Sequence, residues 1–160
     1  MKIIFLDIDG VLNSADFFKK KHEETGLTQG GARVESIDPD ALRLLERILE
    51  ETDARIVVSS SWRIGRETVE IKKILRLAGF RHWDKIIDRT PSAGSLSEQR
   101  GEEIGMWLDE YNEDVETFII LDDGSDMGAL LDHLVKTNWE YGLSEYEVKI
   151  AIERLNHTNE

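Results

Sequence analysis

Short apolar runs alternate along this chain with longer stretches of helical period. Ile3 to Leu6 is a compact apolar run that ends at Asp7, and it reads as a buried strand from Lys2 to Leu6. Arg55 to Val58 is β-branched and apolar and ends in Ser59-Ser60-Ser61. Thr117 to Leu121 is a third such run and ends at Asp122-Asp123-Gly124. Ile86-Ile87 and His133 to Lys136 are shorter strand candidates. Between them lie amphipathic stretches. Asp38 caps a helix with Pro39 at its first position, and Leu42, Leu45, Ile48 and Leu49 mark one face. A second helix runs from about Arg66 to Ala78 and stops at Gly79. Ser97 is placed to cap a third, with Ile104, Trp107, Leu108 and Tyr111 facing inward. A short helix covers Met127 to Leu131, and Ser144 with Glu147 forms a capping box before the last helix. Residues 13–35 show no period and read as an irregular, flap-like excursion.

Strands alternating with helices imply a mostly parallel sheet between helical layers, an α/β/α sandwich over a single domain spanning 1–160. In such sheets ligands bind beyond the carboxyl ends of the strands. Three apolar runs end there in polar clusters: Asp7/Asp9, Ser59 to Ser61, and Asp122/Asp123.

Composition narrows the chemistry. The chain has 160 residues and no cysteine, which excludes disulfides, thiolate metal sites and a cysteine nucleophile. The opening apolar run is too short for a signal peptide, and no stretch approaches a membrane span, so a cytoplasmic location is expected. The formal net charge is −13, which on average repels nucleic acid and anionic membranes. Residues 14–34 are the exception at a net +1, through Lys19, Lys20, Lys21 and Arg33. There is no Walker-type glycine loop, and neither acidic cluster has the glycine spacing of a calcium loop.

Carboxylates gathered at strand ends call for a hard cation, and Mg2+ takes one or two carboxylates together with phosphate oxygens. A carboxylate also serves as a nucleophile, and a second one nearby as a general acid and base. A serine hydroxyl with adjacent backbone N–H groups holds phosphate oxygens, and a cation neutralises the transferring group. Ser60 and Arg100 are candidates for those two tasks. Each cluster taken alone also reads as an ordinary turn, cap or surface residue. Their order at the ends of an alternating pattern is what favours chemistry.

Phe5-Leu6-Asp7-Ile8-Asp9-Gly10 resembles the first motif of the haloacid dehalogenase-like (HAD) superfamily. Val57-Val58-Ser59-Ser60, Arg100 and Ile119-Ile120-Leu121-Asp122-Asp123 resemble the second, third and fourth. Ser59-Ser60-Ser61-Trp62-Arg63 and Arg100-Gly101-Glu102-Glu103-Ile104 are most similar to the small HAD domains of the Swiss Army Knife RNA-repair group. The resemblance implies a three-layer Rossmann-like fold and a Mg2+-dependent phosphatase. Asp7 would be nucleophile and metal ligand. Asp9 would be the general acid/base and a ligand through its carbonyl. Asp122 and Asp123 would complete the metal site. Ser60 and Ser61 would bind phosphate, with Ser59 the alternative hydroxyl, and Arg100 would stand where the family usually has Lys. Neither inter-motif gap holds a full cap domain, so an open site is expected. Openness favours an exposed phosphate, on a nucleic-acid end or a phosphoprotein, over a small phosphomonoester. Lys19 to Lys21 is a candidate substrate contact but reads more readily as a solvated charge run, whereas Trp62-Arg63 is a candidate substrate contact or, equally, a packed loop. A non-enzymatic HAD fold that binds metal or a protein partner is the alternative function.

Overall fold

A computed structural model describes residues 1–93 and 99–157. Five parallel strands form one sheet: β1 (Lys2–Leu6), β2 (Arg55–Val58), β3 (Ile86–Arg89), β4 (Thr117–Asp122) and β5 (Leu134–Lys136), in the order β3-β2-β1-β4-β5. The helices are α1 (Ala15–Thr25), α2 (Pro39–Thr52), α3 (Thr68–Leu77), α4 (Arg100–Tyr111) and α5 (Glu145–Asn156). Central strands buried on both faces are continuous apolar runs, which is why β1, β2 and β4 are legible as such.

Strand alternation divides the core in two. Ile4, Leu6, Ile56, Val58, Ile119 and Leu121 face α2, α3 and α5, with Leu42, Leu45, Ile71, Leu75, Val148 and Ala151 packed on them. Ile3, Phe5, Val57 and Ile120 face α4, where Ile104 and Trp107 cover them with Met127. The result is the three-layer α/β/α arrangement that the sequence implies. Both hydrophobic clusters among the described residues lie against this one sheet.

Two expectations change. Residues 13–35 are not wholly irregular, because α1 occupies 15–25. Ser14 caps it, accepting from the Phe17 N–H at 3.1 Å, and Gly26 ends it in the left-handed region. Its apolar face is only Phe17 and Phe18, next to each other and followed by Lys19-Lys20-Lys21-His22-Glu23-Glu24, so it carries no repeating stripe. Met127 to Leu131 is instead a 3-10 turn over Gly128–His133. The proposed cap Ser97 lies outside the described residues. At the start of α4 the Arg100 N–H donates to the Asp126 carboxylate at 3.2 Å, and Gln99 occupies the N-cap position. β3 carries a register break between Ile56 and Val57 of its partner, opposite which Ile87 bulges at the sheet edge.

Candidate active site

The site grows from the register of the sheet. Leu6 pairs with Val58 on one side and Leu121 on the other. The ladder runs one step further: Ser59 N–H donates to the Leu6 carbonyl and Asp7 N–H to the Leu121 carbonyl, both at 2.9 Å. Asp7, Ser59 and Asp122 therefore stand side by side, one residue past the core. Alternation turns all three toward the α4 face.

α4 supplies the counter-charge. One Arg100 amine nitrogen lies 2.9 Å from an Asp7 oxygen and 2.8 Å from an Asp122 oxygen. Gly101 fixes that approach. A Cβ there would sit 2.0 Å from the Met127 carbonyl oxygen, and its N–H donates to the Asp126 carbonyl at 3.0 Å. Asp126 and Gly101 seat the start of α4; Gly101 stands in the Arg100-Gly101-Glu102-Glu103-Ile104 run that carries the resemblance, whereas no motif points to Asp126.

Gly10 closes the other side. Its φ is +83°, and a Cβ would fall 2.4 Å from the Asp123 carboxyl carbon, so only glycine lets Asp123 approach the Asp7–Gly10 turn. Thr137 Oγ1 donates to the Gly10 carbonyl at 2.7 Å and pins the same turn. Asp7, Asp122 and Asp123 each present an oxygen, and these oxygens lie within 4.8 Å of one another.

Three carboxylates facing one arginine remain under-compensated. Burial pushes the Asp122 carboxyl up to about 7, the Asp7 charge adds to the rise, and Arg100 opposes it. Asp123 is raised as well, by burial first and Asp7 second. For Arg100, burial works against the charge, but Asp7 and Asp122 outweigh it and hold the guanidinium above its ordinary value. An all-oxygen donor set with surplus negative charge fits a hard divalent cation of the Mg2+ type.

Asp9 is arranged differently. Its carboxylate stands outside the three-acid cluster and accepts from Trp62 Nε1 at 3.0 Å and Asn13 Nδ2 at 2.9 Å. On the serine loop, Ser60 Oγ accepts from the Trp62 N–H at 3.2 Å, whereas the buried Ser59 Oγ has no partner among the described residues. Ser61 is exposed and begins the 3-10 turn of residues 61–63.

Trp62 and Arg63 are packed beneath this loop rather than presented to a substrate. Trp62 is buried. Arg63 is 2% exposed and donates to the carbonyls of Ser59, Ser60, Thr90 and Pro91 and to Glu103. Burial works to lower its pKa and Glu103 opposes that. The sequence leaves Trp62-Arg63 open between a substrate contact and packing beneath the loop, and the structure shows packing. In the lysine run, Lys20 pairs with Asp16 at 3.0 Å on exposed helix surface, and Lys21 lies 6.0 Å from the Phe17 ring centre.

Two other features lie away from these groups. A surface cavity of about 660 Å3 runs between α3 and β3 and is lined by Val69, Leu77, Trp83, Ile87 and three cations, without an acid. Glu46, Glu50 and His82 also cluster, but the buried Glu46 carboxylate is taken up by Arg43 and Arg81. The strand-end group combines carboxylates, hydroxyls and a cation in one place.

An all-parallel α/β/α sheet with two acids around a glycine turn after β1, hydroxyls after β2 and paired acids after β4 defines a HAD-like hydrolase domain. Comparison with known proteins narrows this further. The family model for the HAD domain in Swiss Army Knife RNA repair proteins matches residues 3–148, and the chain belongs to that family. Among solved structures, a haloacid dehalogenase-like hydrolase from Streptococcus pneumoniae is 12% identical. The match covers 94% of this chain and 90% of that one, with a TM-score of 0.49. No curated protein matches the chain.

Proposed function

We propose that the protein is a Mg2+-dependent phosphomonoesterase that works through a phosphoryl group carried on Asp7. The observation that carries this reading is the meeting of Asp7, Asp122, Asp123 and Arg100 at one point. Asp7 sits in the middle of that group, fixed by the sheet ladder. Asp7, Asp122, Asp123 and the Asp9 carbonyl would hold the cation. Bound there, Mg2+ would neutralise phosphate oxygens and the crowded acids.

The chain's own groups divide the remaining work. An Asp7 oxygen attacks phosphorus as the ester P–O bond breaks, and Asp9, protonated, gives its proton to the departing oxygen. Asp9, now a carboxylate, takes a proton from water, whose oxygen attacks phosphorus and releases Asp7. Arg100 bridges the nucleophile and the phosphate. The N–H groups of Ser60 and Ser61 and a serine hydroxyl hold the equatorial oxygens. The orphaned Ser59 Oγ supports Ser59 for the hydroxyl contact, because a phosphate oxygen would satisfy it.

For the substrate we favour a phosphorylated nucleic-acid end. Membership in a family described from RNA repair proteins supports it, as does the packing of both hydrophobic clusters among the described residues against the one sheet, which leaves neither of them over the site. Hydrolysis of p-nitrophenyl phosphate with Mg2+ and with EDTA tests the activity, and Asp7→Asn should abolish it with the fold intact. Oligonucleotides bearing 3′- or 5′-phosphates should turn over faster than small phosphomonoesters. Faster turnover of the small esters would defeat the substrate assignment.

A further inference from the structure

We propose that Trp62 and Asn13 are positioning residues that hold the Asp9 carboxylate in its proton-transfer orientation. The inference rests on the reading of Asp9 as general acid/base and goes beyond it in naming what aims that group.

Two N–H donors, from separate segments, take one oxygen each of a single carboxylate: Trp62 Nε1 on Oδ2 at 3.0 Å and Asn13 Nδ2 on Oδ1 at 2.9 Å. Asn13 is 1% exposed and almost fully engaged. Its Oδ1 accepts the Gly10 N–H at 2.9 Å, which fixes which end of the amide faces Asp9, and Nδ2 also donates to the Ser36 carbonyl at 3.1 Å. Trp62 is 4% exposed, and its backbone N–H donates to Ser60 Oγ. One residue thus ties the phosphate-binding loop to the proton-transfer group. A buried indole N–H needs an acceptor, so either bond alone would be ordinary packing. The convergence of both on Asp9 is not, because Asp9 has no cationic partner among the described residues while Arg100 serves Asp7 and Asp122.

The physical consequence is preorganisation. A half-buried aspartate without such donors samples several rotamers, and reaching the reactive one costs free energy at each turnover. Two N–H bonds remove that search, while each oxygen keeps a second lone-pair direction for the proton that moves.

Leaving-group dependence tests this. The quantity to measure is kcat/KM, which reports the step that forms the Asp7 phosphoryl group, for p-nitrophenyl phosphate and for an alkyl phosphate. The aryl oxygen departs without a proton and the alkyl oxygen does not. Trp62→Phe should lower kcat/KM for the alkyl ester by about 10- to 100-fold, part of the roughly 100- to 10,000-fold that general acid catalysis contributes, and for the aryl ester by less than about threefold. Benzothienylalanine at position 62 keeps the ring shape and replaces the N–H by sulfur, so it gives the same answer if Trp62→Phe fails to fold. Equal losses on both esters would mean a merely structural tryptophan. No loss, or a faster alkyl reaction, would equally overturn the proposal. Asp9→Asn is the reference. If it shows no leaving-group dependence, the acid/base reading itself fails. If it does and the Trp62 variants do not, only the clamp fails.

Discussion

Replacing Arg63 with methionine keeps most of the buried stem and removes the guanidinium. That group is 2% exposed and donates to four backbone carbonyls and to Glu103. Hydrogen bonds to charged groups are worth about 1.5–3 kcal/mol each, but they do not add, and the methionine recovers apolar burial. What remains is the cost of stranding Glu103 and carbonyls that have lost their donor. Breaking a buried pair from one side costs about 3–5 kcal/mol, and we expect about 4 kcal/mol here. For a chain of this size that corresponds to a fall in Tm of about 8–16 °C. Urea unfolding followed by tryptophan fluorescence measures it. Arg63→Lys, which keeps the charge but not the planar fork, should lose roughly half as much. Phosphate binding should weaken too, because two of the carbonyls belong to Ser59 and Ser60. A loss under about 1 kcal/mol, with reduced oligonucleotide binding instead, would refute the reasoning and make Arg63 a substrate contact.

Other expectations follow from the same packing. Because the folded protein raises Asp122 from 3.8 to about 7, it holds that proton more tightly than the unfolded chain across this window. Stability of the metal-free protein should therefore fall as pH rises through it, by on the order of 4 kcal/mol from this group. Mg2+ should accordingly raise Tm more at pH 8 than at pH 5, and an equal rise would contradict the Asp122 ligand assignment. Gly101→Ala places a Cβ against the Met127 carbonyl, so it should cost at least about 2 kcal/mol and lower kcat by displacing Arg100; urea unfolding and steady-state kinetics report the two effects. Ser59→Ala should weaken competitive inhibition by inorganic phosphate more than Ser60→Ala, whose hydroxyl already has the Trp62 N–H. Glu46→Leu should change stability by under about 1 kcal/mol, because Arg43 and Arg81 reach solvent, whereas removing both arginines strands a buried carboxylate and should cost about 3 kcal/mol.

The sequence made the sheet legible because a doubly buried strand must be continuously apolar, and Ile3–Leu6, Ile56–Val58 and Phe118–Leu121 are. The α2 start was equally plain, since Asp38-Pro39 carries its own capping chemistry. α1 was hidden because Phe17 and Phe18 bury side by side and a lysine run follows, which leaves no period to detect. The strand-end residues Asp7, Asp122 and Asp123 were found because register and parallel topology bring such ends together. Part of what surrounds them was not. Arg63 is a loop residue in pattern and a core residue in space, and Asp126 and Gly101 act through a contact between segments far apart in the chain. Such roles depend on tertiary packing, which no local period encodes.

The most direct measurement traps the phosphoryl group on its carrier. The enzyme is mixed with excess phosphomonoester and Mg2+, quenched in acid, reduced with borohydride and digested for mass spectrometry. An acyl phosphate on Asp7 should appear as homoserine at position 7, and only when both Mg2+ and substrate were present. Turnover without that product, or with the modification on another residue, would contradict Asp7 as the nucleophile.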